Sequence, residues 1–71
     1  MTDPKFLASL GKKIREIRLS QRLTQNGLAM SCNFEKASMS RIETGKTNVS
    51  VLTLRKISKA LNVELTELFT F

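Results

Sequence analysis

A chain of 71 residues makes one domain that buries only about 60% of its unfolded surface. That leaves little room for an enclosed active site beside the core and directs function to the outside of the fold. Twelve Lys and Arg against six Asp and Glu give a formal net charge of +6, which either favours a polyanionic partner or merely solvates the surface, while a membrane-surface role lacks the Trp and Tyr it would want at the boundary.

With no histidine and the single Cys32, neither an intramolecular disulfide nor a zinc constellation is available, and general acid-base roles would fall to carboxylates and lysines in no recognisable spacing. No enzymatic activity, cofactor or metal site is expected, and Cys32 reads as a buried structural thiol. Met1-Thr2-Asp3-Pro4 does not resemble a signal peptide and no apolar run approaches membrane-spanning length. A single domain over residues 1–71 in a cytoplasmic setting is the expectation.

No stretch sustains period-two alternation, whereas apolar residues recur three and four apart almost throughout, which predicts an all-α chain. The first helix starts with Asp3 as N-cap and Pro4 at the first helical position. Phe6, Leu7, Leu10, Ile14 and Ile17 form its apolar stripe, and Lys12, Lys13, Arg15 and Arg22 face either a phosphate backbone or water. Thr24 caps a short second helix, with Leu23 positioned to staple onto Leu28. Gln25 and Asn26 open that helix where N–H groups and the macrodipole attract anions, and Gly27 weakens it.

Ser31-Cys32-Asn33-Phe34 breaks the pattern, Asn33 tolerating the left-handed conformation of a tight turn. The period resumes from Glu35 to Glu43, with Phe34 stapled onto Met39, Met39 and Ile42 as inward anchors, and Gly45 closing the helix. Ser50 caps a fourth helix whose inward stripe is Val51, Leu54, Ile57 and Leu61, with Val49 stapled onto Leu54 and Asn62 as terminator. Leu65, Leu68 and Phe69 make a final apolar turn or short fifth helix, and the terminal Phe71 is expected to fray.

On the helix from Glu35 to Glu43, Lys36 lies over Ser40 and Ala37 over Arg41, opposite Met39 and Ile42. One face presents cationic donors, a hydroxyl and a methyl. These are the groups that read guanine, adapt to either base or meet a thymine methyl in the major groove; periodicity alone equally allows a solvated polar face. The order of elements weighs for the first: a short capped helix, a turn of about four residues and a second helix with a cationic face match helix-turn-helix geometry.

Leu23-Thr24-Gln25-Asn26-Gly27-Leu28-Ala29, followed at fixed spacing by Ser38-Met39-Ser40-Arg41-Ile42-Glu43-Thr44-Gly45-Lys46, resembles the lambda-repressor-like (Cro/C1, XRE) helix-turn-helix family. The likeness continues through Asn48, Ser50 and Leu54 to Ile57-Ser58-Lys59-Ala60-Leu61-Asn62-Val63 and Glu67-Leu68-Phe69, covering roughly positions 6 to 69. The resemblance implies a compact five-helix domain with its helix-turn-helix at helices 2 and 3. It further implies a bacterial or phage-encoded transcriptional regulator binding a pseudo-palindromic double-stranded operator as a homodimer, and contact with RNA polymerase if it activates. Carried onto this sequence, Lys36, Ala37, Ser38, Ser40 and Arg41 would face base edges, and Gln25, Asn26, Thr44, Lys46, Thr47 and Asn48 would grip phosphates. Arg18 and Glu43 would form an internal ion pair.

The chain departs from the family pattern at Gly27, Cys32, Asn33 and Val49, which implies a softer second helix and loop. It is most similar to compact single-domain members such as restriction-modification controller proteins. Leu52, Leu65, Leu68 and Phe69 are the candidates for a dimer interface around the C-terminal turn. An antitoxin-like or partner-binding helical module is the alternative that shares the fold and needs no base-reading face.

Overall fold

The computed structural model describes residues 3–71, so Met1 and Thr2 of the N-terminal tetrapeptide lie outside the described residues. The elements are α1 (Pro4–Ser20), α2 (Gln25–Ser31), α3 (Lys36–Glu43), α4 (Val51–Leu61) and a 3-10 helix (Leu65–Phe69), with no strand among the described residues. The five-helix expectation therefore becomes four α-helices and a 3-10 helix. Its five residues are too few to repay an α-helical nucleus, and the tighter i→i+3 pattern suits so short a piece.

Three of the four α-helices start on a side-chain cap. Asp3 accepts from the N–H groups of Lys5 and Phe6, Thr24 from Gly27 and Ser50 from Thr53. Glu35 precedes α3 without a side-chain cap bond, so the helix begins one residue later than its periodicity suggested. Leu23, Phe34 and Val49, each one residue before a cap, are half-buried against the core, as a hydrophobic staple requires.

All four α-helices stop in the same way. Arg22, Asn33, Gly45 and Asn62 adopt left-handed backbone, with φ of 59°, 61°, 73° and 57°. The next residue's N–H then bonds back five positions, as in Leu23 to Arg18, Phe34 to Ala29, Lys46 to Arg41 and Val63 to Ser58. Arg22 is the unexpected member, since arginine has no special tolerance of this region.

Leu10 and Ile14 of α1, Leu28 and Ala29 of α2, Met39 and Ile42 of α3, Leu54, Ile57 and Leu61 of α4, and Leu68 of the 3-10 helix form the core with Cys32. Val51, expected on the inward stripe, is 67% exposed: the stripe runs through positions 54, 57, 58 and 61, and Val51 lies a turn before the core begins. Buried Ser58 takes the fourth inward place and satisfies its hydroxyl by donating to the Arg55 carbonyl at 2.9 Å. Phe6 likewise sits outside the core, its ring 6.3 Å from Phe69 and 5.5 Å from Phe71. The expected fraying of Phe71 is thus replaced by an aromatic contact.

Two glycines allow α1 to approach the end of α3. A Cβ on Gly11 would collide with the carbonyl oxygens of Ile42 and Glu43, and one on Gly45 would come within 2.6 Å of the Ala8 backbone nitrogen. At this closeness Arg18 reaches Glu43 in a buried, bidentate pair: Nε donates to Oε2 at 2.8 Å and Nη2 to Oε1 at 3.0 Å. The remaining nitrogen, Nη1, donates to the Leu23 carbonyl at 2.8 Å. No helix of the described residues is long and apolar enough to cross a membrane.

Removing either partner of the pair strands a charge away from water. Arg18→Ala and Glu43→Ala should each destabilise the fold by about 3 to 5 kcal/mol in urea melts followed by circular dichroism. The double substitution should lose less than the sum of the two; full additivity would contradict a direct coupling.

Burial pushes the Cys32 thiol up, partly opposed by the nearby Lys56 ammonium. Because the unfolded chain releases this proton first, the group's contribution to stability is intact below the ordinary thiol range near pH 8.5 and declines as pH rises above it. Labelling with iodoacetamide at pH 8 should be on the order of a hundredfold slower than in urea; equal rates would place the thiol in solvent.

Candidate nucleic-acid interface

The buried residues of α3 lie along one edge: Met39, Ile42 and Glu43 of its eight residues are buried. Lys36, Ala37 and Arg41 are exposed, and Ser38 and Ser40 half-exposed. Its polar face therefore stands out from the molecule instead of packing against a neighbouring helix. Glu35 stands at the N-cap of α3, but no side chain caps the N–H groups of its first turn.

The helix forms a ridge between two open depressions. On one side lies a hollow of about 440 Å³, to which α1 and α2 bring Arg15, Gln25 and Asn26 and α3 brings Lys36 and Ser40, with Thr44 at the edge. On the other is a hollow of about 260 Å³ between Ser38 and Arg41 of α3 and Thr47, Asn48 and Thr53 of the loop and α4. Nine of the eleven residues expected to face bases or phosphates line one hollow or the other: Gln25, Asn26, Lys36, Ser40 and Thr44 the first, and Ser38, Arg41, Thr47 and Asn48 the second. Lys46 and Ala37 line neither, both being exposed.

Several of these side chains are already engaged. Gln25 Nε2 donates to Glu43 Oε1 at 3.2 Å, which ties the start of α2 to the buried ion pair. The Thr44 hydroxyl donates to the Ser40 carbonyl at 2.8 Å, and that of Thr47 to the Asn48 carbonyl at 3.3 Å. Both hydroxyls thus close their own turns and have no proton left for an anion in this arrangement. Arg15, weighed in the sequence only as facing backbone or water, and Thr53, not singled out there, join the two hollows. The sequence offered only the place of Thr53, three residues after the Ser50 cap; in the structure its hydroxyl accepts from that of Ser50 at 2.9 Å.

The four interface candidates separate. Leu68 is fully buried and belongs to the core, so it offers no surface to a second copy. It falls three residues after half-buried Leu65 in a 3-10 helix, where i and i+3 eclipse on one face. Leu52, 71% exposed, and Phe69, 40% exposed, remain available. Among the described residues no group of His, Cys, Asp or Glu is arranged to hold a metal ion.

The arrangement matches known proteins along nearly all its length. The Helix-turn-helix family model matches residues 14–68. The control protein C.BamHI of Bacillus amyloliquefaciens is 44% identical over 62 residues, covering 86% of this chain and 76% of that protein. The control protein C.MunI of Mycoplasma sp is 38% identical over 61 residues, 84% of this chain and 82% of its own. The crystal structure of the restriction-modification controller protein C.AhdI from Aeromonas hydrophila superposes with a TM-score of 0.89 at 32% identity, covering 92% of this chain and 94% of that one. With a family model across both α2 and α3 and two control proteins alike over most of their length, the chain belongs to the lambda-repressor-like (Cro/C1, XRE) helix-turn-helix family.

Proposed function

We propose that the chain is a transcriptional regulator that binds double-stranded DNA sequence-specifically, as a homodimer on a pseudo-palindromic operator, and that it serves as a restriction-modification controller. What carries this assignment is the α3 ridge: a helix held by Met39 and Ile42 whose cationic face stands between two open hollows, each edged by polar side chains. A helix in the major groove is flanked by two phosphate backbones, and each hollow suits one of them. The names of the relatives, control proteins in both cases, support the regulatory role.

Within this assignment Lys36, Ala37, Ser38, Ser40 and Arg41 meet base edges. Arg41 and Lys36 donate to guanine O6 and N7, the serines adapt to either base, and the Ala37 methyl packs against thymine. Gln25, Asn26 and Arg15 hold one backbone; Lys46, Asn48 and Thr53 hold the other. Thr44 and Thr47 act through the turns they close, keeping Lys46 and Asn48 in place. The body measures 30 × 23 × 20 Å, so two copies side by side reach half-sites whose centres lie about 34 Å apart.

A duplex selected from a random pool should bind on the order of a thousandfold more tightly than bulk DNA, with a two-fold symmetric motif. Binding without selection of any motif would sink the proposal and leave a helical module that recognises another partner. Arg41→Ala or Lys36→Ala should remove about 1 to 3 kcal/mol of discrimination at individual base pairs. Lys46→Ala should instead weaken every duplex alike and reduce the salt slope by about one unit. Fluorescence anisotropy on matched and mismatched sites over a salt series separates these outcomes; a uniform loss for Arg41→Ala would contradict its base-reading role.

A further inference from the structure

An exposed methionine stands next to one of the residues that edge the first hollow. Met30 of α2 is 70% exposed, whereas Met39 of α3 is fully buried. Residues four apart on a helix share a face, and on this one the Asn26 amide Nδ2 donates to the Met30 sulfur at 3.7 Å. Asn26 lines the hollow together with Arg15, Gln25, Lys36 and Ser40, while Met30 does not line it. The same amide therefore has two directions in which to donate, the hollow and the sulfur.

The oxidation state of the sulfur decides between them. A thioether is a weak acceptor and competes poorly with a charged phosphate oxygen for the amide protons. A sulfoxide is polar, and its oxygen is a strong acceptor on the same side of Asn26. Hydrogen peroxide supplies that change: the sulfur lone pair attacks one peroxide oxygen, an S–O bond forms as the O–O bond breaks, and the departing hydroxide takes the proton of the transferred oxygen and leaves as water. The sulfur gives up two electrons and the peroxide gains them. Met39 and Cys32 are both buried, so among the described sulfur atoms peroxide reaches that of Met30 first.

We propose that Met30 is an oxidation site through which peroxide withdraws Asn26 from the phosphate backbone. In the sulfoxide the Asn26 amide donates to the new oxygen and turns away from the hollow, so one backbone contact is lost while α3 and its base-reading face stay as they are. Met30 lies outside the core, so the fold is retained. The loss falls on every duplex alike, because a phosphate contact carries no sequence information. Methionine sulfoxide is reduced back to the thioether by methionine sulfoxide reductases, which makes the change reversible. The effect on affinity rests on the DNA binding proposed above; the transfer of the Asn26 hydrogen bond from sulfur to sulfoxide oxygen does not.

The test treats the purified full chain with hydrogen peroxide and reads it in two ways. Without DNA, peptide mass mapping should find one added oxygen on Met30 before any on Met39 or Cys32. The side-chain amide signal of Asn26 in a nitrogen-proton correlation spectrum, identified by its absence from Asn26→Ala, should then shift while circular dichroism stays unchanged. With a selected duplex, fluorescence anisotropy should show the oxidised chain binding about tenfold more weakly, and a methionine sulfoxide reductase should restore the affinity. Met30→Leu should bind as the untreated wild type does and not respond to peroxide. Asn26→Ala should bind weakly from the start and lose nothing further on oxidation. An unmoved Asn26 signal on an oxidised Met30, a loss of helix on oxidation, or an equal peroxide loss in Met30→Leu or Asn26→Ala would each overturn the proposal. A chain that bound no duplex would instead defeat the DNA-binding assignment, while the amide signal would still decide whether oxidation captures Asn26.

Discussion

The position of α3 depends on one buried contact, the bidentate pairing of Arg18 on α1 with Glu43 at the end of α3. Two charges withdrawn from water are costly unless their hydrogen-bonding capacity is filled. Here it is filled by two parallel bonds, a third from Arg18 to the Leu23 carbonyl and a fourth from Gln25 to Glu43. The contact thereby joins α1, the turn before α2, the first residue of α2 and the last of α3. The direction in which the ridge points is set by a planar guanidinium fork, whose geometry tolerates little rotation.

That constraint explains how so short a helix remains in place while leaving one face open. α2 and α3 have seven and eight residues, lengths at which an isolated helix is unstable in water. Met39 and Ile42 give α3 its only apolar anchorage. The rest comes from the left-handed closures at Asn33 and Gly45, the half-buried Phe34 and Val49 before the caps, and the close approach of α1 that Gly11 permits. A helix held by one edge and both ends has a whole face free for a partner.

The arrangement also distributes the basic charge usefully. Arg15, Lys36 and Arg41 lie along or beside the two hollows, whereas Arg55 and Lys59 lie on α4 away from both. Lys56 stands 5.8 Å over the Phe34 ring and so helps to hold the turn between α2 and α3. The basic charge of the chain is thus divided among separate surfaces.

Much of the local structure was legible in the residues themselves. Asp3, Thr24 and Ser50 as caps, and Asn33, Gly45 and Asn62 as closures, follow from side-chain chemistry acting within a few positions. Arg22 was not legible as a closure, because its left-handed backbone is imposed by the hydrogen bond from Leu23 to Arg18 and not by its own preference. The all-helical class, the helix-turn-helix order and the pairing of Arg18 with Glu43 were likewise available from spacing and resemblance. Only the tertiary structure decided that Leu68 is core, that Val51 is surface, that Gln25 is held by Glu43, and that Thr44 and Thr47 spend their hydroxyl protons on their own turns. Sequence periodicity states which side of a helix is apolar; where the core ends along that helix, and which polar groups meet across it, depends on how the helices are stacked.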